Sequence, residues 1–183
     1  MSENQFFERK GPFPLNEIIK VIGCNGYLSK NDNFEIHSFE SLDNANINDM
    51  TFLNSSKYRD LSLKTKAAAC ITSSNLSKFL PDKCIKLDVK NVLFAVTQVA
   101  KMFYPKADMD LPDENLSLSN DIKNLYPDVK FGKNVLIGKN VKIGKKSSIA
   151  SNCIIESNVI IGENCTIGSF SVVRNSVIYN NVY

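Results

Sequence analysis

The chain has 183 residues, 43% of them hydrophobic, with 22 Lys/Arg, 19 Asp/Glu and a net charge of +3. No run of eighteen apolar residues occurs, and Met1-Ser2-Glu3-Asn4-Gln5 lacks a basic start and an apolar core, so neither a transmembrane segment nor a signal peptide is expected. Five cysteines (Cys24, Cys70, Cys84, Cys153, Cys165) are odd in number and have no paired spacing, which argues against a disulfide framework or a zinc ribbon and for the cytoplasm.

In chain order, residues 1–11 are polar. Pro14 opens a short amphipathic helix from Leu15 to Ile22 with Leu15, Ile18, Ile19 and Ile22 on one face; Gly23 ends it and Gly26 marks a turn. Phe34-Glu-Ile36-His-Ser-Phe39 alternates enough to predict a strand. A turn over Ser41–Ala45 leads to a second strand at Met50–Leu53, and Lys57 to Leu63 reads as a short helix. Ala67–Thr72 and Cys84–Val89 are further strands, and an apolar helix from Val92 to Tyr104 stops at Pro105. Alternating strands and helices predict a small α/β domain over residues 1–105, followed by a linker at 106–123.

From Leu125 onward the pattern changes. An aliphatic or aromatic residue falls at every sixth position: Leu125, Phe131, Ile137, Ile143, Ile149, Ile155, Ile161, Ile167 and Val173. Four residues after each of the first eight stands a small or β-branched one, among them Cys153 and Cys165, which read as core packing. Neither a helix nor an ordinary strand sustains a period of six. Hexapeptide repetition predicts a parallel β-helix over 124–183 in which three hexads make one triangular coil, so that Ile137, Ile155 and Val173 share an inward column. Glycines after the aliphatic residue, at Gly132, Gly138, Gly144, Gly162 and Gly168, are expected to serve tight turns. The preceding segment is expected to cover the N-terminal edge of the coil. Ile178 comes five after Val173, out of phase, and the repeat is expected to be an incomplete solenoid.

Residues 121–183 hold eight Lys/Arg against four Asp/Glu, a distribution that suits solvated turns or a shallow basic face. No interleaving of aromatic and basic residues points to nucleic acid. The single histidine, His37, alternates onto the same strand face as Glu35 and is expected in solvent. No carboxylate pair, Ser-His-Asp set, metal cluster or glycine-rich phosphate loop stands out, and no catalytic residue or metal ligand is assigned.

Phe52-Leu-Asn-Ser-Ser-Lys57-Tyr58, preceded by Ser41-Leu-Asp-Asn-Ala45 and followed, after the helix ending Lys101-Met-Phe-Tyr-Pro105, by hexapeptide repeats, resembles the UDP-3-O-(3-hydroxyacyl)glucosamine N-acyltransferases of lipid A biosynthesis in Gram-negative bacteria. The resemblance covers nearly the whole chain and implies a left-handed β-helix in a homotrimer. It implies transfer of a 3-hydroxyacyl group from the 4′-phosphopantetheine thioester of acyl-carrier protein to the 2-amine of UDP-3-O-acylglucosamine, with no permanently bound cofactor. Carried over, Phe52 and Tyr58 sandwich the uracil, and Lys57 lies near a phosphate. The family's asparagine, three after the phenylalanine, is Ser55 here, with Asn54 one position earlier; both join the expected uridine site. The family's general base, a histidine further along the solenoid, has no counterpart in these residues, so the chain alone is expected to be inactive. Two other readings stand beside this one: a non-catalytic nucleotide-sugar-binding or trimerising module, and a hexapeptide acyltransferase with another acceptor.

Overall fold

The computed structural model describes residues 6–24, 34–109 and 111–183, and the turn expected at Gly26 lies outside them. The chain divides into two compact units, Phe7–Met109 and, in its second half, Asp110–Tyr183.

In the first unit, β1 (Phe13–Pro14) leads into α1 (Leu15–Ile22). Gly23 closes that helix in the left-handed conformation, at φ +66°, with its amide reaching back to the last turn. The strand expected over 34–39 is two short pieces, β2 (Glu35–Ile36) and β3 (Ser38–Phe39). At His37 the chain changes partner: β2 pairs antiparallel with β1, whereas β3 pairs parallel with β4 (Asp49–Phe52). A 3-10 turn (Ser56–Tyr58) and α2 (Arg59–Ser62) follow, then β5 (Ala69–Thr72), β6 (Ile85–Asp88) and α3 (Val92–Phe103), whose N-terminus is capped by the Asn91 side chain accepting from the Phe94 amide.

Strands β3, β4, β5 and β6 form a parallel sheet in that order. β5 is buried along its whole length because both faces of the sheet are covered. Its side chains alternate: Ala69 and Ile71 join Met50, Leu87, α1 and α3 on one face, while Cys70 joins Leu42, Leu53, Leu80 and Cys84 on the other. Burial pushes the Cys84 thiol up to about 11 and raises that of Cys70 as well, so both stay neutral and behave as small apolar groups.

The second unit is a left-handed parallel β-helix. It starts with β7 (Ser117–Leu118), α4 (Ser119–Ile122) and a 3-10 turn (Lys123–Leu125). Nine two-residue strands follow: β8 (Lys130–Phe131), β9 (Leu136–Ile137), β10 (Lys142–Ile143), β11 (Ser148–Ile149), β12 (Ile154–Ile155), β13 (Ile160–Ile161), β14 (Thr166–Ile167), β15 (Val172–Val173) and β16 (Val177–Ile178). They stack as three parallel sheets, β8-β11-β14, β9-β12-β15 and β10-β13-β16. Ile155 lies between Ile137 and Val173 in register, as the eighteen-residue spacing requires. Val135, Cys153, Val159 and Cys165 are fully buried, the small residue filling the corner that the aliphatic column leaves.

Three expectations need correction. Leu125 is not an inward residue; it is 71% exposed, and the next side chain, Tyr126, packs instead, edge-on to Phe131 with its hydroxyl donating to the Val141 carbonyl at 2.8 Å. The preceding segment covers the first coil as expected, through its last residues: β7 pairs antiparallel with β9, and the Ser119 amide donates to the Val135 carbonyl. The glycines do not supply the left-handed turns. A Cβ on Gly132 would sit 2.5 Å from the Ser151 nitrogen, and one on Gly144 equally close to the Glu163 nitrogen, so glycine is required because the next coil's backbone passes directly over it. Left-handed φ belongs to the third residue of each turn, which is Asn134, Asn140, Asn152, Asn158, Asn164, Asn175 and Asn181, with Lys146 and Phe170 as the other two. Several of these asparagines also bond side chain to side chain between coils, as Asn134 to Asn152 at 3.2 Å. Finally, the slip at Ile178 does not end the repeat. The left-handed residue Asn175 follows Val173 by two positions rather than three, and β16 pairs with β13 across a seventeen-residue coil.

Phe170 breaks the asparagine pattern at φ +61° with its ring 79% exposed, so no burial offsets the backbone strain. Phe170→Asn is expected to stabilise the β-helix by about 1 kcal/mol, seen as a higher melting temperature of that unit. An unchanged or lower melt would contradict the strain.

Asp113 ties the start of this unit to a solenoid turn. Its Oδ2 accepts the Ser157 amide at 2.7 Å and its Oδ1 accepts the Asn115 amide at 2.9 Å. Burial alone would raise this carboxyl, but the bonds from Ser157 and Asn115 outweigh it and hold the group below the usual carboxylate range. The neighbouring Glu156 is raised, first by burial and then by the Asp113 charge. A depressed carboxyl stabilises above its unfolded value, about 3.9, and loses that contribution as pH falls through its folded value. Asp113→Asn is therefore expected to lower the melting temperature at pH 7, and the gap to the parent chain should shrink as the pH falls below about 4. A gap independent of pH would show that the charge contributes nothing.

Candidate functional site

Where β4 ends, the chain builds a cleft. Phe52 is the last residue of β4, half-buried, with its ring stacked on Phe39 at 6.0 Å and 21° between planes. That backing holds Phe52 to one orientation. Ser55 then adopts extended backbone and caps the 3-10 turn, its Oγ accepting the Lys57 amide at 3.3 Å. The turn carries Tyr58 round, with 54% of the residue exposed. Phe52, Asn54, Ser55 and Tyr58 line one cleft of about 340 Å³ together with Ser41, Leu42, Asp43 and Leu61.

The structure thus brings together four of the five residues singled out from sequence. Lys57 is the exception: its side chain is exposed and does not line the cleft, and its amide is spent on Ser55. The sequence reading missed Ser41, Leu42, Asp43 and Leu61. Ser41–Ala45 was visible as a turn, but nothing local says that it folds against the end of β4. Leu42, 8% exposed, roots that loop in the core beneath the sheet. Asp43 lies in solvent with its carboxyl below the usual range, held there first by the Ser41 hydroxyl and then by its own and the Asn44 amides.

Chemically the cleft offers aromatic rings, apolar Leu42 and Leu61, two hydroxyls, one carboxamide and one carboxylate, which suits a flat polar ring better than a hydrocarbon. A second hollow in the same unit, lined by Ile47, Thr65, Lys66, Ala67, Pro81, Lys83 and Cys84 among others, has no aromatic wall. His37 is exposed and does not line either hollow. Among the described residues, no group of three or more His, Cys, Asp or Glu is placed to hold a metal, and no helix is long and apolar enough to cross a membrane.

Comparison with known proteins bears on the unit that holds the cleft. Residues 33–102 match the model of the UDP-3-O-(3-hydroxymyristoyl) glucosamine N-acyltransferase family, LpxD, and residues 128–161 and 140–175 match bacterial transferase hexapeptide repeats. The chain is 34% identical over 105 residues to UDP-3-O-acylglucosamine N-acyltransferase 2 of Legionella pneumophila strain Paris, a match taking in 57% of this chain and 31% of that protein. Similar matches of 31% and 30% identity are to UDP-3-O-acylglucosamine N-acyltransferases of Rickettsia rickettsii (strain Sheila Smith) and Parvibaculum lavamentivorans. In each case the match spans only about a third of the relative's length (30–31%). Residues 33–102 are thus similar to a domain of the UDP-3-O-(3-hydroxymyristoyl) glucosamine N-acyltransferases, and the repeats that follow are similar to those of bacterial hexapeptide transferases.

Proposed function

We propose that the cleft at the end of β4 holds the uracil ring of a UDP-3-O-acylglucosamine between Phe52 and Tyr58, with Asn54 and Ser55 toward the ring's polar edge. The observation that carries this reading is the convergence of both aromatic residues on one cleft inside the matched segment 33–102. A flat ring fixed by Phe39 behind it and an exposed phenol opposite provide stacking surfaces for a base, and base–aromatic stacking contributes about 1–3 kcal/mol per base.

On this reading the chain takes part in transfer of a 3-hydroxyacyl group from acyl-carrier protein to the sugar amine, in a homotrimer whose subunits meet along the solenoids, in the cytoplasm. The relatives' names and the hexapeptide repeats support that assignment. The role given to these residues is binding. An N-acyl transfer needs a base to take the proton from the attacking amine. The one histidine does not line the cleft, and no residue here is assigned to catalysis. Lys57, outside the lining, would meet a phosphate only beyond the cleft.

Titration calorimetry with UDP and UDP-N-acetylglucosamine on the 183-residue chain tests the reading. Saturable binding of both is the expected result. Failure of either nucleotide to bind at millimolar concentration would remove the uridine assignment.

A further inference from the structure

The cleft contains one charged side chain to which the uridine reading gives no role. Asp43 sits on its wall, opposite in chemistry to everything else there. Ser41, Ser55 and Asn54 can donate hydrogen bonds; a carboxylate can only accept them. The loop that presents it is built to keep it in place. The Asn44 and Ala45 amides both donate to the Ser41 carbonyl, at 3.2 and 3.0 Å, and Leu42 anchors the loop in the core. Ser41 lines the cleft two residues before Asp43, and the carboxylate keeps its lone pairs for a donor there. Ser55, by contrast, has its oxygen committed to the Lys57 amide, so what it retains for a ligand is its proton.

A donor beside an acceptor is the complement of a ring edge on which an N–H stands next to a carbonyl. We propose that Asp43 is a specificity-determining residue that accepts a hydrogen bond from a donor on the ligand stacked at Phe52 and Tyr58. This rests on the uridine reading above. On a uridine nucleotide two groups have that chemistry: the ring N–H between the two carbonyls, and the ribose hydroxyls, which carboxylates accept from in other nucleotide sites. Cytosine carries a lone pair where uracil carries the ring N–H and would face the carboxylate with like polarity. Discrimination of this kind is large, because a buried or stacked polar edge left without its partner loses a hydrogen bond to a charged group.

Calorimetric titration of the full 183-residue chain with UDP, 2′-deoxy-UDP and CDP, beside Asp43→Asn and Ser41→Ala, decides the matter. The parent chain is expected to prefer UDP over at least one analogue by about tenfold or more. Asp43→Asn should weaken UDP by a similar factor and erase that preference, since a carboxamide can turn either its oxygen or its NH2 to the ligand. Loss of the preference over CDP assigns Asp43 to the ring N–H; loss of the preference over 2′-deoxy-UDP assigns it to the ribose; either supports the proposal. Ser41→Ala keeps the charge and the loop's backbone bonds but removes one hydroxyl from the cleft, and should weaken UDP by a smaller factor. If Asp43→Asn binds UDP within twofold of the parent and keeps both preferences, Asp43 is a solvated loop residue and the proposal is overturned while the uridine reading stands. If the parent chain itself binds no UDP, both fall together.

Discussion

Ile155→Asp is expected to unfold the β-helix. Ile155 is fully buried in the middle strand of its sheet, with Ile137 below and Val173 above. Replacing it removes an apolar side chain from a close-packed column, which alone costs about 2–5 kcal/mol when a large residue becomes small. It also places a carboxylate where the surrounding side chains are Ile137, Val173 and the buried corner residues, with no cation in the hydrophobic cluster. The group either stays ionised at a penalty of several kcal/mol or takes up a proton. Both terms have the same sign, and their sum is comparable with the whole stability of a typical domain, about 5–15 kcal/mol. Loss of the β-helix transition in a thermal melt followed by circular dichroism is the expected readout. Ile155→Val is the control and should cost only about 1 kcal/mol. The unit from Phe7 to Met109 has its own core and should keep its transition. A normal β-helix melt for Ile155→Asp would refute the inward assignment of the whole column.

Tyr58→Ala should weaken UDP binding by about five- to 150-fold, the factor that about 1–3 kcal/mol of lost stacking corresponds to. Tyr58 is the cleaner of the two aromatic probes. More than half of it is exposed and it belongs to none of the hydrophobic clusters, so its removal should leave the melting temperature within a degree or two. Phe52 does two jobs: it lines the cleft and it packs on Phe39 and the helix-side core. Phe52→Ala would therefore mix lost stacking with a cavity. Phe52→Leu keeps most of the volume and deletes the flat ring, and should reduce UDP affinity with a loss of under about 1.5 kcal/mol in stability. If Tyr58→Ala and Phe52→Leu both bind UDP as the parent chain does, the stacking site is wrong.

The residues differ in how far local sequence could foretell them. The hexad made the solenoid legible because its period is a property of the chain itself: an inward side chain every sixth residue needs no knowledge of anything distant. α1 was legible to the residue for a similar reason, since Pro14 and Gly23 impose their own backbone angles at its two ends. The role of the glycines was not. At Gly132, Gly138, Gly144 and Gly162 the need is for space under a backbone about eighteen residues away in sequence, and the asparagine that stands three residues after most of the inward aliphatics marks the left-handed position instead. Leu125 was misplaced because the six-residue pattern runs one step past the point where Tyr126 takes over the packing.

The cleft shows the same division. Phe52, Asn54, Ser55 and Tyr58 lie within seven consecutive residues, so a motif could collect them without any fold. Asp43 stands nine residues before Phe52, in a turn whose composition is ordinary. It reaches the cleft only because β3 and β4 pair in parallel, which obliges the loop between them to return across the end of the sheet. By itself, then, the sequence determined the two-part architecture, the period and inward column of the β-helix and the aromatic pair. Only the tertiary structure decided what backs Phe52, which loop faces it, that Lys57 stands outside, and that a carboxylate completes the wall. Backbone period and near-neighbour spacing are local quantities; the meeting of a loop with a strand end is set by sheet pairing and core packing, which no local pattern encodes.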